Sequence, residues 1–328
     1  VSAKSEALRA IREGRGAEVD LRGIRLVGED LRGCDLCGLD LTGADLSRVD
    51  LTGASAIGAV FAHASLTEAT LDEAELASAD LRGATLERAS AMRTGFGQAD
   101  LSRASLFGVR ADHASFVGAR LVHADLRSLR ARDARFAEAD VSHACLSKAD
   151  LRDADLTKAR VRHTSFVETD LRHARLRGLF AFESALFLRA DVRDVDWSGA
   201  YLIRRHIIDE NFLEEFRQRD RLHNLLYWVW WATSDCGRSL ARWTGWTAAI
   251  AFVFGLLYSF VPLSRPDYES VLTPFYFSLV TLTTLGYGDV APASEAGQAL
   301  VMAEVTVGYL MLGGLVSIFS NKLARRGE

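Results

Sequence analysis

The sequence predicts a mixed fold in two parts, a square β-solenoid over residues 17–202 and an α-helical membrane domain over residues 242–328. Three observations predict it. One apolar position recurs every five residues from Leu21 to Leu176. Two apolar runs near the C-terminus are long enough to cross a bilayer. Between those runs stands a glycine-bearing stretch, Thr283-Thr284-Leu285-Gly286-Tyr287-Gly288-Asp289.

Length and charge bound the rest. A chain of 328 residues holds about two domains. A net charge of −4 is too mild for a nucleic-acid binder or an acidic tail, so no nucleic-acid partner is expected. Cys34, Cys37, Cys145 and Cys236 form no disulfide framework, which suits a reducing compartment. Cys34-x-x-Cys37 has the spacing of half a zinc site or a redox pair. The five-residue register, however, puts Cys34 inside and Cys37 outside, which favours a structural role. Residues 1–16 read as an N-terminal capping helix. Lys4, Glu6, Arg9, Arg12, Glu13 and Arg15 leave it no apolar segment, so no secretion signal is expected there.

In the repeat, 28 of the 32 positions in register are Leu, Phe or Val and the other four are Ala. Two residues before each stands a small residue, usually Ala, as at Ala44, Ala79, Ala99, Ala124 and Ala154. Neither helix nor ordinary strand has period five. The pattern implies a solenoid with one residue pair per side pointing inward. A longer period is also legible. Ala91, Ala111 and Ala131 are 20 residues apart, and each is followed five later by Phe96, Phe116 or Phe136. If one coil takes 20 residues, a column of Phe fills what a column of Ala vacates. Ala56 and Phe61 repeat the exchange elsewhere. Four sides per coil make a square section. At about 4.8 Å per coil the run amounts to about eight coils and roughly 40 Å of rod. His123, His143 and His163 share the 20-residue spacing and would stack outside as solvated imidazoles, metal binding or pH sensing being the sharper alternative.

On these repeats the stretch resembles the pentapeptide-repeat family, which implies a right-handed quadrilateral β-helix. Some members mimic DNA and inhibit topoisomerases, which requires a dominantly acidic surface. Here Arg22, Arg32, Arg82, Arg127, Arg152, Arg162 and Arg172 interrupt the acids and argue against that role.

After Leu176 the register slips by one. Phe182, Phe187, Val192, Trp197 and Leu202 continue five apart, so an extra residue is expected around 177–181, followed by a capping coil. Residues 203–241 then read as an amphipathic helical connector. Ile207, Ile208, Phe212, Leu213 and Phe216 mark one helix, and Leu222, Leu225, Leu226 and Val229 a second. The aromatic cluster Tyr227, Trp228, Trp230 and Trp231 suits either the lipid headgroup layer or a helix docked on the rod.

In the membrane domain, Thr244 to Leu263 supplies 20 residues without a formal charge, and Ala299 to Ser320 supplies 22 interrupted only by Glu304. Thr273-Pro274 reads as an N-cap followed by proline at the first helical position. A short helix over Phe275–Thr283 then leads into the glycine-bearing stretch. Carbonyls there can share one axis only if the backbone alternates between ordinary and left-handed angles. Gly286 and Gly288 fall at alternate positions and adopt the latter cheaply.

Thr284, Leu285, Gly286, Tyr287 and Gly288 match the potassium-channel filter run Thr-Val-Gly-Tyr-Gly at four of five positions, and Asp289 is the usual following acid. Residues 243–326 thus resemble potassium channels with two membrane helices per chain. The resemblance implies a pore domain of two transmembrane helices and a pore helix, four chains around one pore, and K+ held at Thr284, Leu285, Gly286 and Tyr287 by carbonyls that replace its hydration shell. The K+ ions are the expected ligands, with no organic cofactor. Asp289, Thr281, Tyr276 and Glu304 are the expected filter supports, Tyr276 bracing Asp289 and Glu304 bonding polar groups behind the filter. Phe277 stands where some channels place tryptophan to brace the filter tyrosine, so Tyr287 would lean on Thr281 or another group. Gly308 matches the family's hinge glycine and Gly313-Gly314 offers a second weak point, close helix packing being the alternative for each. Tyr309, Leu312, Val316 and Ser320 share one helical face and would line the cavity and gate.

Orientation follows from the basic residues. Arg238 and Arg242 precede the first span, and Lys322, Arg325 and Arg326 follow the second. Between the spans Arg265 stands against Asp267, Glu269, Asp289 and Glu295. The expectation is a multi-pass protein of the inner or plasma membrane with both termini, and hence the rod, in the cytoplasm. No phosphate loop, catalytic triad or metal-ligand spacing points to an enzyme. The reading is a homotetrameric potassium channel, in contact with membrane lipid, whose rods regulate gating or assembly and take an unknown regulator. A weakly selective cation channel and a membrane-anchored repeat scaffold are the alternatives.

Overall fold

Each five-residue step of the N-terminal stretch closes one turn and contributes one parallel bridge in this computed structural model, which describes residues 3–264 and 270–324. Arg265, Asp267, Glu269, Arg325 and Arg326, used in the orientation argument, lie outside the described residues, as does the side chain of Lys322. The chain divides into two compact units, 1–214 and 215–328.

In the first unit, bridges link residues 20 apart from Arg25↔Asp45 to Arg160↔Phe180, which makes the coil the sequence period requires. Within a side, the Val49 N–H closes a turn on the Leu46 carbonyl (3.1 Å), while Leu46 N–H reaches the next coil at Ser65 (2.7 Å). The residue two after each central position stands left-handed at the corner. Glycine takes this cheaply at Gly43 (φ 67°), and ordinary residues such as Arg48 (φ 58°) and His143 (φ 61°) adopt it elsewhere. Every central residue from Leu21 to Leu176 is buried. The Phe column stacks, with ring centroids 4.9 Å apart for Phe96–Phe116 and 4.7 Å for Phe116–Phe136. Where threonine replaces the inner alanine, its hydroxyl finds a carbonyl of the preceding coil: Thr94 donates to Leu71 (2.7 Å), Thr164 to Val141 (2.8 Å) and Thr169 to Leu146 (2.8 Å). Cys34 packs against the core and Cys37 is exposed.

The register slip falls slightly later than expected. Leu179 is still buried, and the bridge spacing changes to 21 only between Arg160↔Phe180 and Ser165↔Leu186. The extra residue is absorbed by a single helical turn, Phe182–Ser184, entered through Ala181 at φ 59°. A corner can take up a residue this way without breaking the bridges on either side.

Helices close both ends of the rod. At the start, α1 (Ala3–Arg12) buries Ala7 and Ile11. At the other end, α2 (Tyr201–Gln218) buries Ile203 and Ile207. It also pairs the open backbone of the last coil: the Glu210 carboxylate accepts from the Phe187 N–H (2.8 Å) and the Asn211 side-chain oxygen from the Arg189 N–H (2.6 Å). Unpaired coil edges are thereby covered. The expected connector is thus shared, α2 as far as Glu214 belonging with the rod.

In the second unit the end of α2 is followed by α3 (Arg221–Ser234), whose first turn is capped by Asp220 accepting from the His223 N–H (2.8 Å). Next come α4 (Leu240–Tyr258), β1 (Leu263–Ser264), α5 (Thr273–Leu282), β2 (Ala291–Pro292) and α6 (Glu295–Ala324). The two short strands pair antiparallel. Helix α4 and the stretch Glu295–Ser320 of α6 are each long and apolar enough to cross a membrane.

Candidate functional site: the loop after α5

Helix α5 ends as the Thr284 N–H donates to the Thr281 carbonyl and the Leu285 N–H to the Val280 carbonyl, both at 3.0 Å. The chain then leaves the helix with left-handed angles at every second residue: Thr284 (φ 59°), Gly286 (φ 53°) and Gly288 (φ 76°). A Cβ built on Gly286 or Gly288 would meet nothing within 4 Å, so these positions need glycine for backbone conformation and not for space. Thr284 carries a β-branched side chain in the same conformation, a strain of about 1–3 kcal/mol. The sequence points to the glycines but not to Thr284. Within one chain the loop is uncovered, Leu285 being 59% and Tyr287 67% exposed.

The loop is tied down on both flanks. The Tyr276 hydroxyl donates to the Asp289 carboxylate at 2.7 Å, joining α5 to the far end of the loop. Thr281 is buried and contributes its carbonyl to the turn. Among the described residues no bond joins Tyr287 to Thr281. Phe277 does not reach toward Tyr287 either; it packs edge-on against Tyr258, ring centroids 4.8 Å apart.

Behind α5, Glu304 is fully buried. Its carboxyl group accepts from the Tyr258 hydroxyl at 2.8 Å and meets the Ser278 hydroxyl, which also lies 2.8 Å from the Ala251 carbonyl. One side chain of α6 therefore holds α4 and α5 together, in a setting where an unpartnered polar group would be costly. Tyr258 and Ser278 were missed by sequence reasoning. Their signal was available, since each is a hydroxyl inside an apolar run.

Gly308 lies at a close packing contact. A Cβ there would lie 2.4 Å from the Leu282 carbonyl, so its bareness lets α6 pass against the end of α5. Gly255 plays the same part on α4, where a Cβ would lie 2.4 Å from the Phe275 ring. Tyr309, Leu312, Val316 and Ser320 lie on one face of α6 and are all exposed within the single chain. On the rod, His123 and His143 stack with centroids 4.7 Å apart, whereas His163 lies 5.0 Å from His143 with its ring tilted by 41°. Burial and the two flanking imidazoles hold His143 below the usual histidine range. No group of three or more His, Cys, Asp or Glu is placed to hold a metal ion among the described residues.

Comparison with known proteins agrees with this division. Residues 240–325 match a family model described as Ion channel, and eight copies of Pentapeptide repeats match between residues 17 and 179. The voltage-gated potassium channel Kch of Escherichia coli is 34% identical over 63 residues, covering 19% of this chain and 15% of Kch. The calcium-gated potassium channel TvoK of Thermoplasma volcanium is 33% identical over 67 residues, 19% of each protein. The two pore potassium channel b of Oryza sativa subsp. japonica is 40% identical over 57 residues, 17% of this chain and 16% of that one. The chain therefore spans less than a fifth of the length of these relatives. Among solved structures, the pentapeptide-repeat protein HetL of Nostoc sp. strain PCC 7120 is 25% identical, covering 57% of this chain and 93% of HetL, with a TM-score of 0.28. The fluoroquinolone resistance protein QnrB1 is 19% identical, covering 57% of this chain and 96% of QnrB1, with a TM-score of 0.26. The chain is thus similar to ion-channel proteins, potassium channels among them, over residues 240–325, and to pentapeptide-repeat proteins between residues 17 and 179.

Proposed function

We propose that four copies of this chain surround one potassium-selective pore, and that the repeat rods adjust its opening. The observation that carries the reading is the alternation of left-handed angles at Thr284, Gly286 and Gly288, directly after a short helix flanked by two membrane-length helices. Such a backbone offers successive carbonyls to one axis, and a ring of them replaces the hydration shell of K+. One chain contributes one filter strand, so the ring needs copies. The exposure of Leu285 and Tyr287 in the single chain supports this, as does that of Tyr309, Leu312 and Val316 along α6.

Thr284 to Gly288 form the filter. Asp289, Tyr276, Thr281 and Glu304 are its supports, and Tyr309, Leu312, Val316 and Ser320 line the cavity below Gly308. Basic residues flanking the spans favour cytoplasmic termini, with the rods inside the cell. The rod interior is filled by Leu, Phe and Ala, so any regulator acts on its surface or ends.

Purified protein in liposomes tests the pore. A potassium gradient should drive flux that barium blocks, and native mass measurement should give four chains. Absence of flux from assembled protein would favour a membrane-anchored repeat scaffold. Removing residues 1–214 tests the division of labour: open probability should change while selectivity stays.

A further inference from the structure

Trp243, in the first turn of α4, is where that helix meets the second half of α6. Its indole N–H donates to the Met311 carbonyl at 2.8 Å. The ring lies over Gly314, where a Cβ would come within 2.1 Å of the indole. Neighbouring Gly313 has nothing within 4 Å of a Cβ, so only the second glycine of the pair is shaped by a partner. An indole N–H in a lipid-facing helix must find an acceptor, and a helical carbonyl has a second lone pair to offer.

Two further contacts bind the same end of α4 to α3. The Arg242 guanidinium sits 5.4 Å over the Trp231 ring, and the Trp246 indole N–H donates to the Ala232 carbonyl at 3.2 Å. A shift of α3 is therefore carried by the start of α4, and Trp243 delivers it to α6 just beyond Gly308. That stretch bears Leu312 and Val316.

We propose that Trp243 is a positioning residue of the permeation gate, clamping the far half of α6 to the start of α4, and through it to α3, by way of the Met311 carbonyl and the notch at Gly314. The proposal rests on the reading of α6 as the pore-lining helix. It makes the connector, and not the filter, the place where opening is set.

The test is single-channel recording from the purified full-length protein in planar bilayers, with reversal potentials taken in mixed potassium and sodium. Trp243→Phe keeps most of the ring and removes the donor. Gly314→Ala displaces the ring. Each should change open probability by about threefold or more and leave the reversal potential in place. Trp243→Phe combined with Gly314→Ala should give less than the sum of the two single effects, because both break one contact. A purely structural role would reduce the yield of channels and not their open probability. Should Gly314→Ala fail to assemble, Trp243→Phe alone decides. Open probabilities within about twofold of the parent for every assembled variant, or strictly additive effects, would overturn the clamp. A parent protein that passes no potassium would instead defeat the channel reading itself.

Discussion

The rod keeps its large apolar side chains to itself, and the membrane unit turns many of its own outward. Phe96, Phe116 and Phe136 are fully buried in a stacked column inside the rod. By contrast Phe252 is 57% and Leu310 is 70% exposed, and the loop after α5 has no cover within the chain. The difference teaches how each part becomes complete. A coil needs only the coil above and the coil below, so one chain suffices. The membrane unit has a satisfied interior around Glu304, while its outer faces suit lipid and, in the proposed channel, its loop would be completed by further copies. In both parts most buried hydroxyls find a partner inside the same chain, Thr94, Thr164 and Thr169 in the rod and Ser278 and Tyr258 in the membrane unit, Ser142 Oγ in the rod being an exception.

The largest expected effect falls on the loop after α5. Gly286→Ala puts a side chain on a left-handed residue at a cost of about 1–2 kcal/mol per chain. Because nothing lies within 4 Å of the new Cβ, the loss is one of conformation. Current should vanish in bilayer recordings while the oligomer keeps its size on gel filtration.

The next effects are confined to the rod. Phe116→Ala should open a cavity in the stacked column and cost about 3–5 kcal/mol, read from chemical unfolding of residues 1–214. Ala111→Phe should overpack the same interior at about 1–3 kcal/mol. Equal stability of parent and both variants would sink the proposed inward register and, with it, the contrast between the two parts. Thr164→Val is milder. It removes the 2.8 Å bond to the Val141 carbonyl, but that carbonyl keeps the Ala144 N–H at 3.0 Å, so about 0.5–1.5 kcal/mol is expected.

The smallest effect is electrostatic. Burial pushes the Asp150 carboxyl up, but bonds from Arg152 (2.9 Å) and Arg132 (2.7 Å) outweigh it and hold the group at about 2, below its ordinary 3.8. A depressed carboxylate stabilises the fold fully above its unfolded value, and that contribution fades as pH falls from 3.8 through about 2. The rod's melting temperature should therefore drop across this window, and Asp150→Asn should make the drop shallower.

Much of this was legible in the sequence, for reasons that differ between the parts. A period of five with a second period of 20 fixes which side chains point inward, because the coil repeats and no long-range contact has to be guessed. Leu21 through Leu176, the Phe column and the alignment of His123 with His143 followed from spacing alone, whereas the tilt of His163 did not. The helical turn at 182–184 did not, since an inserted residue can be absorbed at any nearby corner. In the membrane unit, Gly286 and Gly288 announced their backbone angles, whereas Thr284 gave no hint of its own. The contacts of Gly308 with Leu282, of Gly314 with Trp243, and of Tyr258 with Glu304 join residues 26 to 71 positions apart. Such pairings depend on how three helices cross, which no local pattern encodes. Glu304 was conspicuous as a carboxyl in an apolar run, but its partners could be named only by class.

The most direct measurement is the reversal potential of the purified channel with potassium on one side of a bilayer and a potassium–sodium mixture on the other. Carbonyls arranged by the alternating backbone at Thr284, Gly286 and Gly288 predict a potential that follows the potassium gradient and ignores sodium. A potential that treats the two ions alike, in a protein that assembles and conducts, would contradict the account.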